Sequence, residues 1–324
     1  MQTFSVTLDR LEFFGRGLHR PESVLPTKCG DIYASNSNGG ISLLKPDGTH
    51  IFIGKKEHAE NGFVPNGFAL MPDGSFLIAN IGREGGVWKL TRDGTLTPWL
   101  MEVDGRYFGM PNFVYLDHKG RIWVNGLPKR MTGSYTPGAN EGFFVLVDEK
   151  GARIVEENVD IPNELRIDPV RGYIYTNETF LGRTVRWKLG EDGKMTDREV
   201  VIEYDRTDHL DGFNIDSEGF IWTSSVIVNR IYRANPNTGN RIKVFEELDE
   251  HWTARAAQAV ETGRFNRDIL YEDHGLKCRN LSSISFGGPD LKTLYCGQLA
   301  GESLVRFPVP FAGLEQAHWA LGPF

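Results

Sequence analysis

Tight turns built on glycine recur along this chain at a nearly constant distance. In one series the turn glycines lie 46, 52 and 47 residues apart, at Gly74, Gly120, Gly172 and Gly219. A second, interleaved series has spacings of 46, 57, 42 and 46 residues, at Gly48, Gly94, Gly151, Gly193 and Gly239. Asp-Gly and related pairs supply the positive φ that tight hairpins need. Two turn series with one period therefore predict a four-stranded antiparallel meander in every repeat.

A four-stranded repeat of about 40 to 50 residues is typical of a β-propeller blade. Helical repeats of that length would show apolar residues at a 3.6-residue period, and the chain shows little of this pattern. The first blade runs from Glu22 to about Gly54, and the later blades open at residues 64–80, 110–126, 161–177, 209–224 and 281–297. The sequence thus predicts an all-β, six-bladed propeller forming a single domain over 1–324. We expect an N-terminal strand, Thr3–Leu8, to close the ring beside Ser303–Phe307, because closure removes exposed sheet edges.

Two segments break the period. Residues 127–141 lie between the second and third strands of the third blade, and residues 246–280 lie between the fifth and sixth blades. Part of the second, 251–263, is predicted to be helical, with Gly263 just beyond the helix end. Both insertions should overhang the face where the blades begin, as lids, or else serve as decoration or a dimer contact. The apolar tail 311–324 is expected to pack on the outside of the propeller or on a partner, so a homo-oligomer is possible.

Charge and cysteine usage exclude several classes of protein. The net charge is −7 with no basic block, which argues against nucleic acid and an anionic membrane surface as partners. The start, MQTFSVTLDR, has no apolar core of a signal peptide, and no run of 18 apolar residues occurs. The three cysteines have no metal-binding spacing. These features predict a cytoplasmic protein with small molecules as its partners.

One column of polar residues stands out when the inner strands are aligned. It contains Glu22, Asn66, Asn112, Asn163, Asp211 and either Ser282 or Ser283. We call these positions the mouth ring, because equal phase in a propeller means equal height and equal distance from the axis. Their side chains should converge on one mouth of the central channel. Asn and Asp also begin strands as local caps, which would explain single positions but not the whole column.

Carboxylates and carboxamides that meet at one point need a compensating charge. Glu22 and Asp211 would repel each other, and both would lose hydration. A divalent cation removes both problems, and oxygen-only ligands favour Ca²⁺, Mg²⁺ or Mn²⁺, with Zn²⁺ not excluded. The mouth ring therefore predicts one divalent metal ion.

Several motifs resemble one known family, that of senescence marker protein, gluconolactonase and luciferin-regenerating enzyme. They are RPESV (20–24), IPNELRIDPVRGYIYTN (161–177), HLDGFNIDSEGFIWTS (209–224) and SFGGPDLKTLY (285–295). The resemblance spans nearly the whole chain. It implies that Glu22, Asn163 and Asp211 bind one divalent metal, and that Asn112 completes the site or contacts substrate. It also implies hydrolysis of a lactone or related ester, in which Asp211 could act on water as a general base.

Two departures from the family pattern concern the substrate. Asn112 is followed by Phe113, where sugar-lactone members often carry an acidic residue, and Met110 stands where some carry an arginine. The pocket wall should therefore be more apolar than a polyhydroxylated substrate needs. We expect a less polar lactone or ester, contacted by Met110, Asn112, Phe113 and the ring residue Asn66.

His209 and the type of reaction leave alternatives open. His209 lies two residues before Asp211, so it could shuttle a proton in catalysis or be a simple rim histidine. No G-x-S-x-G elbow competes with the metal-dependent hydrolase. The alternatives are an aldonolactonase of the gluconolactonase type, a different metal-assisted reaction at this site, or a non-catalytic binding propeller.

Overall fold

The computed structural model of the chain describes residues 2–129, 137–205 and 207–324. Six antiparallel sheets of four strands stand in a ring, and contacts between neighbouring inner strands run around it. The predicted six-bladed propeller is therefore confirmed. Three short α-helices, Lys56–Glu60, Glu250–Glu261 and Arg267–Leu270, lie outside the blades. No helix in the described ranges combines the length and the apolar character needed to cross a bilayer.

In the first five blades the strands run outward from the channel in chain order. The first blade consists of Val24–Pro26, Ile32–Asn36, Gly40–Leu44 and His50–Gly54. The second consists of Pro65–Leu70, Phe76–Asn80, Val87–Leu90 and Leu96–Leu100. The third consists of Met110–Leu116, Ile122–Leu127, Gly142–Asp148 and Gly151–Val159. A small hairpin, Glu102–Val103 with Arg106–Tyr107, connects the second and third.

The remaining blades follow the same plan. The fourth consists of Pro162–Asp168, Tyr173–Glu178, Arg183–Leu189 and Met195–Glu203. The fifth consists of Leu210–Ile215, Ile221–Ser225, Arg230–Ala234 and Arg241–Glu246. The sixth takes Leu281–Gly287, Thr293–Gln298 and Leu304–Pro308 from one end of the chain and Glu12–Phe14 from the other.

Closure by both chain ends is as predicted, but the strand that closes the ring is not Thr3–Leu8. Glu12–Phe14 pairs with Leu304–Pro308, with Glu12 opposite Arg306. Residues 3–7 form no strand, and a 3₁₀ turn at Leu8–Arg10 separates them from the pairing segment. The alternating apolar residues of this segment pack against the propeller instead. The ring of Phe4, for example, contacts that of Phe311 edge to face, with ring centres 6.5 Å apart.

In the third, fourth and fifth blades the first turn is fixed by a buried aspartate at the end of the inner strand, Asp117, Asp168 or Asp216. In the fifth blade, Asp216 Oδ1 accepts hydrogen bonds from the N–H groups of Glu218 (3.0 Å) and Phe220 (2.9 Å). Its Oδ2 accepts from Trp222 Nε1 (2.9 Å) and Arg233 Nε (2.8 Å). Every lone-pair direction of this carboxylate is thus used, and the turn is locked onto the sheet.

The long insertion, residues 246–280, contains the predicted helix. Glu250–Glu261 begins at Asp249, whose side chain accepts a hydrogen bond from Trp252 N (2.9 Å), and Gly263 beyond its end has φ +63°. Its buried face packs on the loop at Val226 and on the residues that follow the helix. Of the shorter insertion 127–141, residues 130–136 lie outside the described residues.

The tail 311–324 packs on the propeller's own face opposite the blade openings. Leu314 N donates to Ile215 O (2.8 Å), and Tyr115 Oη donates to Gln316 Oε1 (3.0 Å). The carbonyl of Trp319 accepts from Lys28 N (2.8 Å). These contacts join the fifth, third and first blades, so the tail spans the lower end of the channel.

Candidate active site

Five of the six mouth-ring positions line one pocket at the end of the channel where the blades begin. The sixth position does not reach it, since Ser282 and Ser283 are both buried outside the pocket lining and the Ser282 hydroxyl donates to the carbonyl of Glu22 (2.7 Å). The pocket has a volume of about 110 Å³. Its ring residues are Glu22, Asn66, Asn112, Asn163 and Asp211.

A local irregularity in the strands aims these side chains into the pocket. The register with the second strand shifts at the ring position in five blades, for example between Pro111 and Phe113 and between Leu210 and Phe213. Such bulges break the strict alternation of a strand and turn one side chain out of the sheet. The polar ring can therefore face the channel while the flanking residues remain in the core.

Glu22 and Asp211 are the buried acids of this pocket, with 2% and 5% of their surface exposed. Burial raises the pKa of the Glu22 carboxyl well above its usual range, an effect that Arg20 opposes and Asp211 reinforces. The pKa of Asp211 is likewise raised by burial and by the nearby carboxylate of Glu164, while a hydrogen bond from Asn163 lowers it. The charge of Arg20 acts on both acids, but the pKa of each stays raised, so their negative charges are compensated only in part.

Unpartnered oxygen atoms make this pocket suitable for a hard cation. Glu22 Oε2 and Asn163 Oδ1 are buried without a hydrogen-bond partner in the described part of the chain. The described residues contain no cluster of three or more Asp, Glu, His or Cys side chains arranged for a metal. The donor set here is instead two carboxylates and a carboxamide, and such oxygen ligands fit Ca²⁺, Mg²⁺ or Mn²⁺.

The other two asparagines are partly committed to protein contacts. Asn112 Oδ1 accepts from Glu164 N (2.8 Å), which leaves its N–H groups to face the pocket. Asn66 Oδ1 accepts from Arg20 Nη2 (2.9 Å), and its amide nitrogen donates to Asn112 O (2.9 Å). Asn112 can therefore donate to a ligand, whereas Asn66 chiefly holds Arg20.

Arg20 is a pocket residue that sequence reasoning missed. Its Nε donates to Tyr271 Oη (3.1 Å) of the long insertion, and its Nη1 donates to Pro65 O (3.1 Å). With the bond to Asn66, three of its five N–H donors are used. The backbone at Arg20 has φ +48°, a left-handed conformation that is uncommon for arginine. The only sequence signal was its place in RPESV, two residues before Glu22.

The upper wall of the pocket is apolar, but apart from Met110 its apolar residues lie outside the neighbourhood of Asn112. It comes from the long insertion and from loops that follow the second strands of four blades. Its members include Ile81, Phe180, Val226, Ile227, Phe265, Leu270 and Leu299. Four of the blades contribute at the same phase, so the repeat alignment that found the mouth ring could also have found this wall.

Three predicted site residues have contrasting positions. Met110 lines the pocket. Phe113 does not line it, because the bulge leaves its ring in the core beneath, where the guanidinium of Arg166 lies 4.4 Å from the ring centre. His209 is 2% exposed and stacks on Phe265 with ring centres 5.8 Å apart. Burial lowers the pKa of His209 to about 4, so its ring supports the pocket wall as a neutral group.

Comparison with a family model agrees with this geometry. Residues 36–253, which are more than half of the chain, match the model described as the SMP-30/gluconolactonase/LRE-like region.

Two characterised relatives and a solved structure are similar to the chain. A 6-deoxy-6-sulfogluconolactonase from Pseudomonas putida is 26% identical over 234 residues, which is 70% of this chain and 66% of that protein. A pentonolactonase from Haloferax volcanii is 26% identical over 239 residues, or 73% of this chain and 67% of that protein. The matched stretch thus spans about two thirds of each relative. A calcium-binding protein, regucalcin, from Agrobacterium tumefaciens has the same fold, with a TM-score of 0.68 at 17% identity over 99% of this chain and 100% of that one.

Proposed function

The chain belongs to the SMP-30/gluconolactonase/LRE-like family, and on that premise we propose that it hydrolyses a lactone, or a related ester, at the mouth of its channel. The observation that carries the proposal is the pair of buried acids, Glu22 and Asp211, whose charges Arg20 compensates only in part, beside the unpartnered oxygen of Asn163. The two relatives named as lactonases support the same class of reaction.

Glu22, Asn163 and Asp211 would hold one divalent cation. When bound, such a cation polarises an ester carbonyl and lowers the pKa of water beside it. The two carboxylates match its charge, and the carboxamide supplies a neutral oxygen. The unpartnered atoms Glu22 Oε2 and Asn163 Oδ1 support this assignment, because buried polar atoms normally have partners.

The polar residues of the pocket would orient the lactone ring of the substrate and accept or donate protons. Asp211 accepts a proton from the attacking water, since it is the acid that borders both the pocket and Asn163. Arg20 retains two N–H donors for the acyl oxygen, which gains negative charge when water adds to the carbonyl carbon. As the acyl C–O bond then breaks, the leaving oxygen takes the proton that Asp211 had accepted. Asn112 donates from its amide nitrogen to a ring substituent. The acyl C–O bond breaks, and the product is a hydroxy acid.

The apolar upper wall favours a substrate with few hydroxyl groups. Phe180, Phe265 and Leu270 offer no hydrogen-bond partner for a sugar hydroxyl from their side chains. We therefore propose a less polar lactone. The sugar-type names of the relatives favour the alternative, an aldonolactone.

A hydrolysis screen tests both levels of the proposal. The protein is dialysed against a chelator, reloaded separately with Ca²⁺, Mg²⁺, Mn²⁺ or Zn²⁺, and assayed by acid release from alkyl lactones and aldonolactones. We expect chelation to abolish turnover and one or more metals to restore it, with alkyl lactones preferred. Absence of hydrolysis with every metal and lactone contradicts the proposed function. A clear preference for gluconolactone contradicts only the less polar substrate.

A further inference from the structure

A second guanidinium group lies at the pocket, on the long insertion. Arg267 is the first residue of the short helix Arg267–Leu270, is half-buried, and lines the pocket beside Phe265 and Leu270. Within the described ranges no carboxylate forms an ion pair with its side chain. Two other arginines of this insertion are paired, Arg255 with Glu272 and Arg279 with Asp273. Arg264 also has no ion pair among the described residues, but it is exposed, so Arg267 is distinguished by its place in the pocket lining.

The charges that line the pocket leave a net positive charge once the proposed divalent cation is counted. Glu22 and Asp211 are the acids of the pocket lining, and the divalent cation would neutralise both of their negative charges. Arg20 is held by Asn66, Pro65 and Tyr271 in the floor. The positive charge of Arg267 then stays uncompensated next to apolar side chains.

A partly desolvated cation beside an apolar wall favours an anionic ligand. The net charge of the protein is −7, so its overall field repels anions. A local cation at the rim offsets that repulsion where a substrate enters.

We propose that the substrate is a lactone with a carboxylate substituent, and that Arg267 binds that carboxylate. The planar guanidinium matches a carboxylate with two parallel hydrogen bonds. This inference rests on the proposed lactone hydrolysis and specifies its substrate class. One water is added across the acyl C–O bond and the new carboxyl group releases a proton, so a monoanionic lactone becomes a dianionic hydroxy dicarboxylate. Arg267 is thus a specificity-determining residue, and the step that consumes the product must accept a dicarboxylic acid.

The test compares a γ-butyrolactone that carries a ring carboxylate with its neutral carboxamide. We expect the wild-type protein, loaded with its activating metal, to prefer the carboxylate by at least about tenfold in kcat/KM. Arg267→Gln should lower kcat/KM for the carboxylate by about 10- to 100-fold, the range expected for loss of charged hydrogen bonds. Its effect on the carboxamide should stay within about twofold, because that substrate has no charge to bind. Arg267→Lys keeps the charge and should retain part of the preference.

Arg264→Gln is the matched control, because Arg264 lies on the same insertion but is exposed and does not line the pocket. It should leave both rates unchanged. Calorimetric titration of the same proteins with the hydroxy dicarboxylate, against a hydroxy monocarboxylate, measures the anion site without turnover.

The two measurements separate the inference from the proposed function. Equal rates for both lactones in the wild type, or an equal loss for both in Arg267→Gln, would overturn the carboxylate site. If neither lactone is hydrolysed but the dicarboxylate binds through Arg267, the anion site stands and lactone hydrolysis fails. If neither lactone is hydrolysed and the dicarboxylate does not bind, both are overturned.

Discussion

Asp211 and Asp216 stand at opposite ends of one inner strand of the fifth blade and have opposite surroundings. Asp216 is fully buried and accepts four hydrogen bonds, from Glu218, Phe220, Trp222 and Arg233. Asp211 is 5% exposed, and the nearby carboxylate of Glu164 raises its pKa beyond the effect of burial. Two aspartates of one strand thus differ: the hydrogen-bonding capacity of Asp216 is fully used, whereas the negative charge of Asp211 is only partly compensated.

The contrast holds in neighbouring blades. Asp117 and Asp168 occupy the position of Asp216, and both accept hydrogen bonds from turn amides and an arginine. Glu22 occupies the position of Asp211 and has an unpartnered oxygen. A saturated buried acid stabilises a turn, whereas an unsaturated one costs stability that only a ligand can recover. Hydrogen-bond saturation therefore marks Asp117, Asp168 and Asp216 as structural acids, whereas Glu22 and Asp211 combine incomplete saturation with a place in the pocket lining. Asp160 and Glu164 also have a buried oxygen without a hydrogen-bond partner among the described residues, but neither lines the pocket.

The largest expected effect is on turnover at the unsaturated end. Asp211→Asn should reduce kcat/KM for lactone hydrolysis by about 10³- to 10⁴-fold, because it removes the proposed base and one ligand charge. Its thermal midpoint should stay the same or rise, since a buried and repelled charge is lost. Steady-state assays and thermal melts measure both. Asp192→Asn, at an exposed turn, is the control, and activity of Asp211→Asn within tenfold of wild type would contradict the assignment.

At the saturated end the expected effect is on stability. Asp216→Ala leaves the Arg233 guanidinium and the Trp222 N–H buried without their acceptor. The free energy of unfolding should fall by about 3–5 kcal/mol, as when one partner of a buried ion pair is removed. Urea titration followed by tryptophan fluorescence measures this loss. A smaller loss than that caused by Asp211→Asn would break the comparison.

A smaller effect should come from the shape of the Arg20 side chain. Arg20→Lys keeps the positive charge beside Glu22 but loses the planar fork, so kcat/KM should fall by about 10- to 100-fold. The matched variant Tyr271→Phe removes only the hydroxyl that accepts from Arg20 Nε, and its activity should fall less than about fivefold. Equal losses in the two variants would mean that Arg20 acts only by holding the insertion.

The smallest expected effect concerns acid stability at the lower end of the channel. Burial and the charge of Arg166 lower the pKa of His318 to about 3. In the unfolded chain the His318 imidazole binds a proton below its ordinary pKa near 6.5, whereas in the folded protein it stays neutral until the pH approaches 3. The free energy of unfolding therefore decreases as the pH falls from 6.5 towards 3.

His318→Gln removes this titration. The thermal midpoint of that variant should therefore fall less between pH 7.5 and pH 5 than that of the wild type. His251→Gln serves as the control, because His251 is an exposed histidine. An identical pH dependence of wild type and His318→Gln would contradict the explanation.

The repeat period in the sequence was sufficient for the six blades and for five of the six mouth-ring positions, because both depend on equal phase in successive blades. It failed where a side chain departs from the repeat. Phe113 was assigned to the pocket from its neighbour Asn112, but the bulge between them sends the two residues to different environments. Arg20 precedes the first strand and reaches the pocket only through a left-handed backbone, which no spacing rule encodes. Tyr271 and Arg267 lie in an insertion that has no counterpart in other blades.

The closing strand implies two very different timescales for assembly of the protein. Five blades consist of strands that follow each other directly, so each can form by short-range hairpin steps. The sixth needs Glu12 to find Arg306, and these residues are 294 positions apart. Because long-range contacts slow folding, we expect this joining step to be the slowest. Until it occurs, Ser282 and the carbonyl of Glu22 remain apart, so the pocket at the channel mouth is among the last parts of the molecule to become ordered.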